Sequence, residues 1–312
     1  MRVLVTGAAG FVGGHLRSAL ERRGHVVVGL VSPRAGTSDP LAVDLGDREA
    51  TARAVADARP DAVIHLAARA RPAAPTSMRE LVDNNVHAAH SVLEAVRCVG
   101  AKIKVIVASS SAVYGAVPIA RNPVVEEEPL RPVLPYGVSK AAVEAVVSAY
   151  AAQGLDVVTV RPFNLLGPRQ GPEFVVARFA QQIAQVGAGM SGPVIETGPL
   201  EPARDFTDVR DAVRAYVALV EQGTGPGPFN ICSGIPRSVS EVLREMLAIA
   251  GVEAAIRPRA GAGTPPGLDV PYQCGSGAAI ARAVRWEPET PWRETLRDTL
   301  ADWRQRIGGE AR

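Results

Sequence analysis

Five short apolar runs, rich in valine and isoleucine, mark the first half of the chain. They are RVLVT (2–6), HVVVGLV (25–31), DAVIHLAA (61–68), KIKVIVAS (102–109) and DVVTVRP (156–162). None alternates apolar with polar positions, which is the pattern of strands buried on both faces of a parallel sheet. Helical stretches are expected between them, at 10–22, 48–57, 80–98 and 138–152. This alternation predicts an α/β fold with a doubly wound parallel sheet and ligands at the carboxyl ends of its strands.

After residue 165 the pattern changes. Proline and glycine become frequent, as in GPRQGPE, GTGPGPF and RAGAGTPPGLDVP, and strands grow sparse. RDFTDV (204–209) and PFNICSG (228–234) read as strands that return to the sheet. Helices are expected near 173–187, 238–250 and 291–306. The chain has no internal repeat and no low-complexity tract.

Composition narrows the function classes. With 312 residues and 47% hydrophobic content, a sizeable core is within reach. The formal charge is +2 and aromatics are 4%, with no basic stripe interleaved with aromatics, so no nucleic-acid partner is expected. Cys98, Cys232 and Cys274 are scattered and odd in number, which argues against a disulfide framework or a zinc site and suits a reducing compartment. His87 and His90 have no third ligand near them in sequence, so no metal is expected. No run reaches the ~18 apolar residues of a membrane helix. The glycines of the first 20 residues favour a strand, turn and helix over a signal peptide. A cytoplasmic protein with no membrane partner is the expectation.

VTGAAGFVGGHL places Gly7, Gly10 and Gly13 where the first strand becomes the first helix. Glycine lets the backbone approach a pyrophosphate, and the helix N-terminus presents free N–H groups and a partial positive charge. The spacing is Gly-x-x-Gly-x-x-Gly rather than Gly-x-Gly-x-x-Gly, yet its position points to dinucleotide binding. A Rossmann domain is therefore expected over 1–164 plus 203–234, with a smaller mixed substrate lobe over 165–202 plus 235–312. At the end of the second strand an acidic residue would grip a ribose 2′-hydroxyl. Here Val31 is followed by Ser32, Pro33 and Arg34, a hydroxyl and a guanidinium that suit a 2′-phosphate. NADP(H) is favoured over NAD(H), although an ordinary surface loop would read the same. Asp44 and Leu45, expected at a strand end, would border the adenine; Asp44 would serve equally as a helix cap.

Tyr136 and Lys140 stand four residues apart, so a helix points both the same way. Free tyrosine has a pKa near 10, and a fixed ammonium nearby favours the phenolate. Only three residues of the chain are lysine and five are tyrosine. A chance Tyr-x-x-x-Lys is then expected about 0.05 times, which makes the pair informative. The strand before it ends in ASSSAVYG (108–115), where a serine hydroxyl would reach a carbonyl oxygen that gains negative charge. A serine-rich loop capping its own backbone is the plainer alternative.

TGAAGFVG, HLAA (65–68), SSSAVYG, PYGVSK, RPFNLLGP (161–168) and RDFTDVRD (204–211) occur in an order that resembles the extended short-chain dehydrogenase/reductases acting on nucleotide sugars. Within that group the 161–184 segment looks most like GDP-4-keto-6-deoxymannose reductases and related 4-ketoreductases. The resemblance implies a catalytic Ser110, Tyr136 and Lys140. Tyr136 would pass the proton, Ser110 would hold the sugar oxygen, and Lys140 would bind the nicotinamide ribose and tune Tyr136. It also implies cofactor contacts from Gly7, Gly10, Phe11, Val12 and Gly13, from Leu66, Ala67 and Ala68, and from Pro162.

Ser111 is expected beside the substrate, and Asn164 and Arg204 at its diphosphate. A pair of Arg204 with Asp205 or Asp208 is the structural alternative. The 4,6-dehydratases and decarboxylases of the group carry an acidic residue just after the catalytic Ser/Thr; Ser111 and Ala112 stand there, which disfavours elimination. An Arg-Pro-x-Asp pattern near the C-terminus is altered to PPGLDVP (265–271), and Arg257 or Arg259 would substitute. Reduction of a 4-keto nucleotide sugar is the leading expectation, 4-epimerisation with tightly held NAD the second, and a non-catalytic dinucleotide sensor the third. A homodimer through the helices at 80–98 and 138–152 is implied, their alanines (Ala88, Ala89, Ala95, Ala141, Ala142, Ala145, Ala149) allowing close packing. Lys140→Arg keeps the charge but not the compact ammonium. Steady-state assay of this variant is expected to show crippled turnover; near-normal kinetics would contradict the assigned role.

Overall fold

The computed structural model describes residues 1–33, 41–69, 77–100, 102–223, 225, 227–259 and 270–310. The chain opens with β1 (Arg2–Thr6), α1 (Phe11–Arg22), β2 (Val26–Leu30), α2 (Arg48–Ala58) and β3 (Ala62–His65). One helical run follows, made of α3 (Met78–Leu81), a π-turn (Val82–Val86) and α4 (His87–Val99). Then come β4 (Lys104–Ala108), α5 (Pro135–Ala152), β5 (Val157–Pro162) and β6 (Asn164–Leu166). The remainder contains α6 (Val175–Gly187), β7 (Val194–Thr197), β8 (Ala203–Asp208), α7 (Val209–Gln222), β9 (Phe229–Ile231) and β10 (Pro236–Ser238). It closes with α8 (Val239–Ala250), β11 (Ala255–Pro258), β12 (Tyr272–Gln273), α9 (Ala278–Val284) and α10 (Trp292–Glu310).

Six strands form one parallel sheet in the order β2-β1-β3-β4-β5-β9. The order reverses between β1 and β3, so the loops leaving them diverge and open a crevice. The unalternating strands do face two layers. Val3 and Val5 pack with residues of α1 and α7 on one side. Leu4 packs with α2, α4 and α5 on the other. A third core joins α6, α8 and α10 through Phe179, Ile183, Leu243, Leu296 and Trp303.

Four differences from the sequence expectation bear on the site. The helix expected from 138 begins at Pro135, whose fixed φ suits the first helical position, so Tyr136 lies in the first turn of α5. The 80–98 helix carries the π-turn at 82–86. The strand read at 204–209 does not return to the large sheet; β8 pairs with β6, β10 and β12, while β9 does join the large sheet beside β5. No strand ends at Asp44 and Leu45, which follow a single bridge between Val31 and Ala42. Of the alanines expected at a dimer face, Ala88, Ala89 and Ala95 are buried in the chain's own core, whereas Ala145 and Ala149 are exposed.

Candidate active site

The turn after β1 is built by contact rather than by composition. Gly7 has φ +71°, and a Cβ there would come within 2.9 Å of the Ala67 nitrogen. A Cβ on Gly13 would collide with the Gly7 carbonyl oxygen and lie 2.8 Å from the Ala8 Cα. Gly10 caps α1 with no side-chain hydrogen bond and no acidic residue in the first turn, so the N–H groups around Phe11 and Val12 stay available. The loop after β3 is tied to β1 in turn. Thr6 Oγ1 lies 2.8 Å from His65 Nδ1 and accepts the Ala67 N–H at 3.2 Å.

Between these loops lies a cleft of about 390 Å³ that brings together Gly7, Ser32, Asp44, Leu45, Ala67 and Ala68. Leu30, Val31, Val43, Arg69 and Asn84 also line it, without having been picked out by motif. Leu66 is half-buried beside the core formed with α1 and α7. Pro162 ends β5, and Arg34 lies outside the described residues. Asp44 Oδ1 accepts the Gly46 N–H at 3.0 Å, and the cap of α2 is Asp47, not Asp44.

The expected reacting groups gather where β4 meets α5. Ser110 Oγ accepts the Ala112 N–H at 3.2 Å, so the backbone-capping alternative is real. The same hydroxyl also hydrogen-bonds the Tyr136 phenol. Lys140 is 2% exposed; its Nζ donates to the Ala108 carbonyl at 2.7 Å and lies 6.0 Å from the Tyr136 ring centre. Burial pulls the Lys140 ammonium down to about 8, opposed by the carboxylate of Glu144. Burial pushes the Tyr136 phenol up to about 12, against the Ser110 hydrogen bond. In the protein alone the Tyr136 phenol thus stands above its ordinary value, not below it as the pairing with Lys140 suggests, because burial outweighs the Ser110 hydrogen bond.

Two buried residues of this region were not anticipated. Asn85, in the π-turn, accepts the Arg69 N–H at 2.8 Å and donates to Ser139 Oγ at 3.0 Å. Ser139 Oγ in turn donates to the Tyr136 carbonyl at 2.8 Å, so Asn85 joins the β3 loop to the first turn of α5. His65 is driven down to about 3 by burial and by Lys140, and stays neutral. His65 lies inside the HLAA motif and Asn85 inside the stretch expected as the 80–98 helix, but nothing in their spacing sets them apart from core residues.

Asn164 and Arg204 sit on the neighbouring strands β6 and β8. Asn164 Nδ2 donates to the Asp205 carbonyl at 3.1 Å, and Arg204 Nη1 to the Ala203 carbonyl at 3.0 Å. Asp205 takes N–H groups from Ser233, Gly234 and Gly275, while Asp208 holds Arg210. Ser111 is buried, its carbonyl accepting from Gln273 Nε2 at 3.0 Å. Arg257 lies on the exposed β11, with Arg259 just beyond it.

A dinucleotide fits this geometry. The Gly7–Gly13 contacts leave a bare helix start for a pyrophosphate. Lys140 keeps two of its three ammonium donors without a partner among the described residues, which suits ribose hydroxyls. Residues 3–232 match the NAD dependent epimerase/dehydratase family. The chain belongs to that family. It is 34% identical to GDP-6-deoxy-D-mannose reductase of Pseudomonas aeruginosa, over 99% of both chains. The solved structure of RMD from Pseudomonas aeruginosa complexed with NADPH superposes with a TM-score of 0.86 at 32% identity, covering 98% of each chain. UDP-glucose 4-epimerase of Thermus thermophilus, solved with NAD, gives 0.83 at 30% identity, covering 97% of this chain and 99% of the other.

Gly13→Ala should bind a dinucleotide more weakly, because the new methyl must displace the Gly7 carbonyl and with it the turn. Fluorescence titration with NADPH and with NADH is expected to show at least about a tenfold loss of affinity, roughly 1.4 kcal/mol.

Proposed function

We propose that the protein reduces the 4-keto group of a nucleotide-activated 4-keto-6-deoxyhexose with NADPH or NADH. One arrangement carries this reading: a neutral Tyr136 phenol bonded to Ser110, with the Lys140 ammonium buried behind it. When bound, the nicotinamide cofactor supplies the hydride. Ser110 holds the ketone oxygen, and Tyr136 gives that oxygen a proton as negative charge develops on it. Lys140 then faces the phenolate left behind and favours it until a solvent proton returns. Asn164 and Arg204 take the substrate diphosphate, and Ser111 lies beside the sugar. Positions 111 and 112 offer a hydroxyl and a methyl but no carboxylate, so elimination of water has no acid or base there.

The similarity to GDP-6-deoxy-D-mannose reductase along the whole chain supports reduction. Epimerisation at C4 is the second reading, supported by the likeness to a UDP-glucose 4-epimerase. NADP(H) is favoured through Ser32, which lines the cleft, together with Arg34. The division into a dinucleotide-binding domain and a smaller substrate lobe belongs to the same proposal. A homodimer would use the exposed side of α5 at Ala145 and Ala149. Three free cysteines accord with a cytoplasmic setting, and no helix among the described residues is long and apolar enough to cross a membrane.

Incubation with NADPH or NADH and GDP-, dTDP- and UDP-4-keto-6-deoxyhexoses, with products assigned by NMR, tests the reading. Wild type should form the 4-hydroxy sugar, and Tyr136→Phe should lose at least about a hundredfold in kcat, the scale of one general acid. Retained turnover in that variant would sink the mechanism, and purification with stoichiometric NAD and no need for added NADPH would favour the epimerase. Lys140 is charged below its lowered pKa of about 8 and neutral above it. The kcat profile should therefore hold below pH 8 and fall as pH rises past that value.

A further inference from the structure

Three consecutive residues at the end of β4 each meet a different turn of α5. Ala108 accepts the Lys140 ammonium, Ser109 donates its hydroxyl to Glu144, and Ser110 bonds Tyr136. On α5 the three partners stand at 136, 140 and 144, spaced four apart, and so form one face. Two of the three are the proposed catalytic groups, which leaves Glu144 to be explained.

Glu144 is buried and fully engaged. Its Oε1 accepts from Ser109 and from Arg161 Nε at 2.9 Å, and its Oε2 from Arg161 Nη2 at 2.7 Å. Arg161 is anchored further by the Tyr114 hydroxyl at 2.9 Å and the Glu126 carbonyl at 2.8 Å. The Tyr114 hydroxyl donates to Asn230 Oδ1 at 2.7 Å. A two-pronged ion pair of this kind holds a carboxylate in one place.

We propose that Glu144 is a positioning residue of the reductase site. Clamped between Ser109 and Arg161, it fixes the register of α5 against β4 and keeps the Lys140 ammonium charged inside the protein. The proposal rests on the reductase reading for its catalytic meaning, but not for its physical content. The titratable neighbours of Lys140 are few. Glu144 and Tyr136 come from its own helix and His65 from the end of β3, while α7 contributes Tyr216, whose phenol is raised by burial and by Tyr136. β4 presents the neutral Ala108 carbonyl. Only Glu144 among these favours the charged lysine; His65 is neutral, and the Tyr136 phenol is protonated.

The small number of lysines makes the test direct. Protein labelled with 13C at lysine Cε gives signals from Lys102, Lys104 and Lys140 alone, and Lys140→Arg assigns the third. In the wild type the Lys140 signal should titrate near 8. In Glu144→Gln its midpoint should fall by about one pH unit, the scale of one lost opposite charge at close range, with Lys102 and Lys104 unmoved. Because Glu144→Gln leaves Arg161 without its carboxylate, the double variant Glu144→Gln, Arg161→Gln is measured beside it; it also removes the Arg161 cation, so a smaller fall in the same direction is expected. The alkaline limb of kcat should move down in pH by the same amount. An unchanged Lys140 midpoint in folded Glu144→Gln would overturn the proposal, even if turnover fell. Absence of turnover by the wild type on every 4-keto sugar would instead count against the reductase reading, and the lysine titration would still decide the role of Glu144.

Discussion

A lysine ammonium sealed from water opposes its own charge, and most of the site follows from how Lys140 is accommodated. It meets the Ala108 carbonyl and, one turn along the helix, the carboxylate of Glu144. That carboxylate is tolerable inside the protein because Arg161 and Ser109 saturate it, and Arg161 in turn draws on Tyr114 and the Glu126 backbone. Leaving one member of a buried ion pair uncompensated costs roughly 3–5 kcal/mol, so the chain of partners holds together or fails together. It spans β4, α5, β5 and, through Tyr114 and Asn230, β9. The position of the reacting groups is therefore set by the same contacts that join the right half of the sheet to its helix.

The left half solves a different problem. Strand order reverses between β1 and β3, and the crevice there has to admit a large anionic cofactor close to backbone. Gly7 and Gly13 remove the methyl groups that would fill it, while Thr6 and His65 join the two strand ends from beneath. Asn85 connects the halves: its side chain holds the loop after β3 and, through Ser139, the first turn of α5. The first turn of α5, which carries Tyr136, is thus tied to the same loop that packs against the glycine turn.

Much of this was written locally in the chain. Valine-rich runs without alternation identify strands covered on both sides, and five of the six strands of the large sheet stand in the first 162 residues. Lys140 was conspicuous because arginine supplies nearly every other cation. What escaped notice had no local signature. β8 has the composition of any short strand, and only long-range pairing assigns it to the small sheet with β6, β10 and β12. Glu144 is one of 32 acidic residues, and its partner Arg161 lies across the sheet-to-helix interface. Asn85 sits in a run whose periodicity is helical, and the π-turn that carries it packs against α5.

The largest change concerns the proton. A tyrosine beside a lysine suggests a phenolate, yet burial raises the Tyr136 phenol to about 12 and lowers the Lys140 ammonium to about 8. Both shifts have one cause, the cost of charge away from water, and together they leave a neutral phenol next to a cation below pH 8. That state suits a donor. A ketone gaining a hydride needs a proton at its oxygen, and a phenolate could only accept one. Once Tyr136 has given its proton, the ammonium faces a new anion at close range, and the interaction that was idle in the resting site becomes favourable in the state that follows. In the proposed mechanism Lys140 acts by waiting for the charge to appear, so its own protonation, and the Glu144 carboxylate proposed to support it, would matter more than any prior acidification of the tyrosine.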